Sequence, residues 1–308
     1  MKRISRKDGR VLRSYGLALS GGGTRGAAHA GVLLALKEEE LLPSAVAGTS
    51  AGSVAAGCFA SGMEPEELCE MVRKMSSRGL GLLDVDYIGI LRFLPQMLLH
   101  RKVNLEGLLK GERLRSFLEK LTQGKMISQT EIPLLIPAVD LKKGNTVCFT
   151  NGLIPPKGEP EEEKNIWMGE GKLSDIITAS SSVPGIFAPR HMGDFLLVDG
   201  GVTNNLPSDL LKKCGIRKVV AVDVGSVYEM SESHSVLEIL THSFSVMGRS
   251  LKDCRSEEER LLLWPDLPKE AGLLTFDCME ACMKAAYKNT KEEAERIRQY
   301  LSSENDDF

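Results

Sequence analysis

The sequence predicts an α/β fold built on parallel strands, and three stretches carry that expectation. Tyr15 to Ser20 is a short apolar run that passes through glycines into a helical pattern. Ala45 to Gly48 is a second such run, again followed by a small-residue turn and a helix, and Lys218 to Gly225 is a third. A strand, a helix and a strand within the first fifty residues pair in parallel by default, through a right-handed crossover.

The elements follow in chain order. After the first strand, Ala28, Val32 and Leu36 recur at helical spacing, Glu38, Glu39 and Glu40 gather at the end, and Pro43 stops the helix. Glu66 to Ser76 reads as helical. Leu80 to Leu99 is apolar but broken by Asp84, Asp86, Arg92 and Pro95 and followed by His100, Arg101 and Lys102. It is therefore no membrane span. Residues 80–121 read as a subdomain packed over the sheet or as a lipid-facing lid edged with basic side chains, with Arg113 to Leu121 helical. Ile132 to Leu141 and Thr146 to Thr150 read as strands, and Pro155 to Asn165 as an exposed loop. Leu173 to Ser180 reads as a helix leading into Ser181 and Ser182, which no glycine turn frames and which therefore read as loop hydrogen-bonding groups. Phe195 to Val198 is a strand that runs into Asp199, Gly200 and Gly201. Beyond Gly225 the chain reads as mostly helical, with helices over Glu257 to Leu263, Cys278 to Tyr287 and Lys291 to Leu301.

At 308 residues and 42% hydrophobic content, the chain buries a full core and suits one elaborated domain. Its expected bounds are 15–301, between a basic arm at 1–14 and an acidic tail at 302–308. The net charge of −3 and the lack of a basic stripe interleaved with aromatics point away from nucleic acid. Seven scattered cysteines with no CxxC pair fit a reducing, cytoplasmic setting without structural zinc or another metal. Lys2, Arg3, Arg6, Lys7, Arg10 and Arg13 give the arm a charge that suits a solvated tail or contact with anionic lipid. Peripheral membrane contact by a soluble protein is the corresponding expectation.

Two glycine-rich turns carry the chemistry. Gly48-Thr49-Ser50-Ala51-Gly52 reads Gly-x-Ser-x-Gly between a strand and a helix, where glycines two before and two after let the backbone bend sharply around an exposed nucleophile. The amide of Ala51 then lies at a helix start, where unpaired donors and the dipole favour a developing oxyanion. The earlier turn, Gly21, Gly23 and Gly26, satisfies G-x-G-x-x-G after a strand and before a helix, the fingerprint of a Rossmann-type dinucleotide site. Such a site wants an acid at the end of the second strand, and there the sequence has the serine turn, with Glu38 to Glu40 too early. The rival use of the same loop aims its amides at an oxyanion beside Ser50. Asp199 followed by Gly200 and Gly201 is by itself a plain turn signal; beside Ser50 it becomes a candidate base. A Ser, Asp, His chain order would instead draw a base from His234 or His242, neither of which sits at a strand-end glycine turn. His29, His100 and His191 read as structural.

Ser-Gly-Gly-Gly-x-Arg-Gly after the first strand, Gly-Thr-Ser-Ala-Gly after the second, Ala179 to Pro189, and Asp-Gly-Gly near residue 200 occur here in order, and together they resemble the patatin-like phospholipases. The similarity runs from about Tyr15 to about Tyr287, includes Trp264-Pro265-Asp266-Leu267, and is to the short bacterial form. The resemblance implies a three-layer fold with a mostly parallel central sheet and helices on both faces. It further implies a Ser-Asp dyad, with Ser50 matching the nucleophile and Asp199 its partner, Gly21, Gly22 and Gly23 matching the oxyanion-hole glycines, and Arg25 the loop arginine. The implied activity is hydrolysis of acyl esters in phospholipids and related lipids, with no cofactor. A regulatory acyl-binding protein with little turnover is compatible with the same residues, and head group, chain length and oligomeric state are not legible.

Overall fold

The computed structural model of the chain describes residues 4–5, 11–12, 14–89, 91, 105–156, 165–225, 236–255, 261–272 and 274–303. The central sheet starts from the buried run β3 (Gly16–Leu19), from which a 3-10 turn and α1 (Ala28–Glu38) cross over to β4 (Ala45–Gly48). β3 and β4 pair in parallel, Gly16 opposite Ala45 and Leu19 opposite Gly48, as the first fifty residues predict. β12 (Val219–Val222) lies parallel to β3 on its other side, and β13 (Leu261–Leu263) parallel to β12. On the far side of β4 lies β6 (Leu134–Asp140), followed by its antiparallel partner β7 (Asn145–Asn151) and β8 (Ile166–Met168). β10 (Arg190–Met192) and β11 (Phe195–Asp199) form an antiparallel extension on β6. Most ladders are parallel, and the fold is α/β.

The strands alternate cleanly between two cores, as a period of two requires. Leu17, Leu19, Val46, Ile136, Val220 and Val222 belong to the larger cluster, shared with α1, α2 (Ala51–Ala60), α3 (Pro65–Arg78) and three helices of the second half, α5 (Leu173–Ser180), α8 (Met279–Glu292) and α9 (Ala294–Ser302). Ala18, Ala47, Leu135, Val219 and Ala221 face the other way, onto Leu210 and Leu211 of α6 (Ser208–Lys213). Helices thus cover both faces.

One expectation changes and two gain detail. Leu261 to Leu263 is the parallel strand β13 and not a helix: three consecutive leucines satisfy either period, and their fit beside β12 decides. The basic arm, which suits a solvated tail or contact with anionic lipid, holds a short antiparallel pairing of β1 (Ile4–Ser5) with β2 (Val11–Leu12). In the 80–121 region, β5 (Gly107–Leu109) pairs with β9 (Gly185–Phe187), and Leu83, Val85, Leu109 and Phe187 form a small separate cluster. Asp84 caps α4 (Glu112–Leu121) by accepting from the amides of Gly111 and Glu112, each at 2.8 Å. Residues 90 and 92–104, which hold part of the 80–121 segment and His100, lie outside the described residues, as do His234 and residues 157–164 of the loop. Among the described residues no helix is long and apolar enough to cross a membrane.

Candidate active site

The site exists because two strands end against each other. β7 occupies one whole edge of β6, so β4 and β11 share the opposite edge. β4 pairs in parallel with Leu134 and Leu135, while β11 runs antiparallel along Ala138 to Asp140. The carboxyl ends of β4 and β11 therefore converge on Pro137. That edge of β6 is lined by the main chain of alternate residues, the Val46 amide donating to the Pro133 carbonyl at 2.9 Å. Proline in the gap between the two strands leaves no N–H to satisfy there, and the Ser180 hydroxyl donates to the Pro137 carbonyl at 2.7 Å.

At the end of β4, Ser50 adopts φ 53° and ψ −121°, a conformation that non-glycine residues hold only when their surroundings fix it. The surroundings do so. The Thr49 amide donates to Leu19 at 3.1 Å and its hydroxyl to the Asn204 carbonyl at 2.9 Å. The Ser50 amide donates to the Ser180 hydroxyl oxygen at 3.1 Å, and the Ser53 hydroxyl to the Ser50 carbonyl at 2.6 Å. The turn is also too tight for side chains: a Cβ at Gly48 would lie 2.2 Å from the Gly52 carbonyl oxygen, and one at Gly52 2.3 Å from that of Leu19. Ala51 is the first residue of α2.

At the end of β11, Asp199 is fully buried. Its Oδ1 accepts from the Gly201 amide at 2.7 Å, and its own amide donates to Ser182 at 2.9 Å. Gly200 follows against the Pro137 carbonyl, 2.4 Å from where a Cβ would stand. Oδ2 is buried with no hydrogen-bond partner among the described residues, and Ser50 and Asp199 line one crevice. Burial pushes the Asp199 carboxyl up to about 7, against the opposing pull of Ser50 and the Gly201 amide.

The glycine loop lies on the other side of Ser50, a Cβ at Gly21 falling 3.1 Å from that of Ser50. The Gly21 amide is spent on the Asn205 carbonyl at 3.0 Å, so it is not an oxyanion donor as expected. Arg25 is likewise turned to structural use: Nε donates to the Val224 carbonyl at 2.8 Å and Nη1 to that of Ala271 at 3.0 Å. It clamps the loop to the segments after β12 and before α8 instead of lining an oxyanion site. Gly26 packs directly on Ala51, a Cβ there meeting that of Ala51 at 2.3 Å. Among the described residues the amides of Gly22, Gly23 and Ala51 carry no main-chain acceptor, as expected for the starts of helical turns. Beneath the loop, His29 is buried with Nε2 2.8 Å from the Ser20 carbonyl, which makes Nε2 the donor of a neutral ring, and burial holds its pKa down at about 4.

Ser50 borders two spaces. One is a small crevice of about 40 Å³ lined by Gly21, Gly22, Asp199 and Asn205 and closed by Phe244 and Ser245 of α7 (Val236–Arg255). The other is an apolar cavity of about 140 Å³ running between α1, α2 and α3, lined by Ala30, Val54, Leu68, Val72 and Met279. Of the histidines, His242 sits on α7 but is not among the residues lining either space. Ser180 and Asn205 have parts that the sequence did not disclose; Asn205 follows Asp199 by six residues in a turn-rich stretch, which is the only local signal it offers.

Comparison with known proteins adds the lineage. The sequence model of the family described as patatin-like phospholipase matches residues 17–212. An uncharacterized NTE family protein of Mycobacterium tuberculosis is 29% identical over 225 residues, 73% of this chain and 33% of that protein. A Caenorhabditis elegans protein described as patatin-like phospholipase domain-containing is 28% identical over 258 residues, 80% of this chain and 16% of that protein. The chain thus spans a third or less of the length of these relatives. Among solved structures, human GIVD cytosolic phospholipase A2, in complex with methyl gamma-linolenyl fluorophosphonate, shares the fold at a TM-score of 0.51 and 14% identity, covering 95% of this chain and 60% of that one.

Proposed function

We propose, from the premise that this chain belongs to the patatin-like phospholipase family, that it is a serine hydrolase cleaving acyl esters of phospholipids or related lipids through a Ser50–Asp199 dyad. The observation that carries this reading is the convergence of β4 and β11 on Pro137, which brings a strained serine to a buried carboxylate between two unrelated turns. The apolar cavity that opens at Ser50 supports an acyl substrate.

In this reading Asp199 accepts the Ser50 proton as Oγ attacks the ester carbonyl. A carboxyl with a pKa of about 7 is suited to general base work near neutrality, because it is ionised in part and basic enough to hold the proton. The oxyanion of the tetrahedral intermediate is received by the amides of Gly22, Gly23 and Ala51 at the helical starts. Collapse expels the alcohol, which takes the proton back from Asp199. Water then attacks the acyl-enzyme and gives its proton to Asp199, which passes it to Ser50 Oγ as the acyl–oxygen bond breaks, releasing the fatty acid and restoring both residues.

The test is covalent capture with an alkyl fluorophosphonate, the class of compound held by the human phospholipase that shares the fold. The chain is expected to gain one adduct at Ser50, lost in Ser50→Ala and strongly slowed in Asp199→Asn. Failure of the parent chain to react would sink the reading and favour an acyl-binding protein with little turnover.

A further inference from the structure

Resting on that reading, the geometry of α3 bears on which acyl chains the site accepts. α3 stands between two spaces. Leu68 and Val72 on its inner side line the cavity that opens at Ser50. Glu67, Glu70 and Lys74 on its outer side line a groove of about 650 Å³ that continues to Phe117 and Leu121 of α4. Three side chains belong to both walls: Met71, Met75 and Leu82. Met71 and Met75 are one helical turn apart on one face of α3, and Leu82 closes the 3-10 turn that follows the helix.

The partition is soft where the rest of the wall is firm. Leu68 and Val72 are fully buried in the main core, whereas Met71 and Met75 are only half-buried and pack on its margin. Methionine is unbranched and adapts its shape more readily than any other apolar side chain. The cavity itself, at about 140 Å³, is far smaller than the groove behind it.

We propose that Met71, Met75 and Leu82 form a displaceable partition that sets the acyl-chain length the site selects. A short chain ends before the methionines. A long chain pushes them aside and lays its terminal methylenes in the groove over Phe117 and Leu121.

The test is the rate of Ser50 labelling of the full chain by a series of linear alkyl fluorophosphonates of increasing length, each presented as monomer in water below its aggregation threshold. The partition predicts a rise of about fourfold per methylene, a flat segment where the chain meets the methionines, and a renewed rise beyond. A rise with no flat segment, or a cut-off with no renewed rise, would overturn the proposal. Replacing Met71→Ala together with Met75→Ala should abolish the flat segment and raise the long-to-short rate ratio on the order of tenfold, and Met75→Trp should turn the segment into a lasting cut-off. The ratios are taken within each variant, so a general loss of folded protein cancels, and unchanged ratios in both variants would also overturn it. No labelling of the parent at any length would instead overturn the serine-hydrolase reading, and this proposal with it.

Discussion

Ser50 stands between two regions built on opposite principles. The crevice holding Asp199 and Asn205 is about 40 Å³ and bordered by glycines, and hydrogen bonds fix both turns that form it: Thr49 to Leu19 and Asn204, Ser50 to Ser180, Asp199 to Gly201 and Ser182. The cavity on the other side is about 140 Å³, lined mostly by aliphatic, thioether and aromatic side chains that are held chiefly by contact area. A reacting carbonyl needs atoms placed to a fraction of an ångström; a flexible hydrocarbon chain needs only area and room. Substitutions in the crevice should therefore act steeply on turnover while the chain stays folded. Those in the cavity should act gradually and on stability as well.

The largest expected effect tests the crevice. Ser50→Ala and Asp199→Asn should each lower turnover on the order of 10⁴ to 10⁶, and the double variant should be no worse than either, because groups that act as a unit fail together. His242→Ala, outside both spaces, should stay within roughly tenfold of the parent. Turnover of a short soluble ester, with folding checked by circular dichroism, measures all four. A loss in His242→Ala as deep as that in Ser50→Ala, alongside substantial activity in Asp199→Asn, would move the base to the histidine.

That contrast also separates what the sequence disclosed from what it did not. The two turns were legible because each is a local solution: a serine or aspartate at a strand end needs glycines beside it wherever the strand lies. Their meeting was not legible, because it depends on β4 and β11 sharing one edge of β6, a pairing of segments some 150 residues apart. Pro137 marks the junction, yet a proline inside a strand signals only an edge or a break. The same limit explains Gly21 and Arg25, whose residue types suited an oxyanion site while their donors were claimed by Asn205, Val224 and Ala271. β13 is not legible as a strand because three leucines carry no period of their own.

The second effect is on stability and its sign follows from protonation. Asp199 stays protonated in the folded state up to about 7 and ionises near 3.8 when unfolded. The folded state thus holds the extra proton between these values, and stability falls as pH rises through that window. Asp199→Asn keeps an acceptor for the Gly201 amide and removes the buried charge, so its melting temperature should exceed the parent's above pH 7 and match it below pH 4. His29 acts the other way. Its folded pKa of about 4 lies below the ordinary histidine value of 6.5, so the unfolded state takes the proton first and stability rises with pH between these values. In Asp199→Asn that rise should stand uncovered between pH 4 and 6.5. A parent more stable than Asp199→Asn at pH 8 would refute the assignment of burial as the dominant influence on this carboxylate.

The third effect lies on the cavity side. Leu68 is fully buried on the inner face of α3 and lines the cavity. Leu68→Ala should cost about 2–5 kcal/mol of stability while lowering turnover of long-chain esters by no more than about tenfold. Urea unfolding and a long-chain substrate separate the two. A collapse of turnover at unchanged stability would mean that the cavity is as exacting as the crevice, and the comparison would fail.

The smallest effect asks whether the cavity wall is held by anything besides contact. Lys37 at the end of α1 reaches Glu64 and Glu66 at the start of α3, at 2.6 and 2.7 Å, and is the most visible polar tie between the two helices that flank the cavity. Both glutamates are more than half exposed, so water screens the pairs and competes for the charges, and ordering three long side chains opposes what attraction remains. α3 has its own start in any case: Pro65 in the first turn, and a capping box in which the Glu64 amide donates to Glu67 at 3.0 Å. Its apolar residues Leu68, Cys69 and Val72 are buried in the main core. Lys37→Ala should therefore lower the melting temperature by no more than about 3 °C and leave the ratio of long-chain to short-chain turnover where it was, in buffer and in high salt alike. A drop well beyond that, or a salt-dependent change in chain-length preference, would show that charge pairs hold α3 in place, and the contrast between a bonded crevice and a contact-held cavity would have to be redrawn.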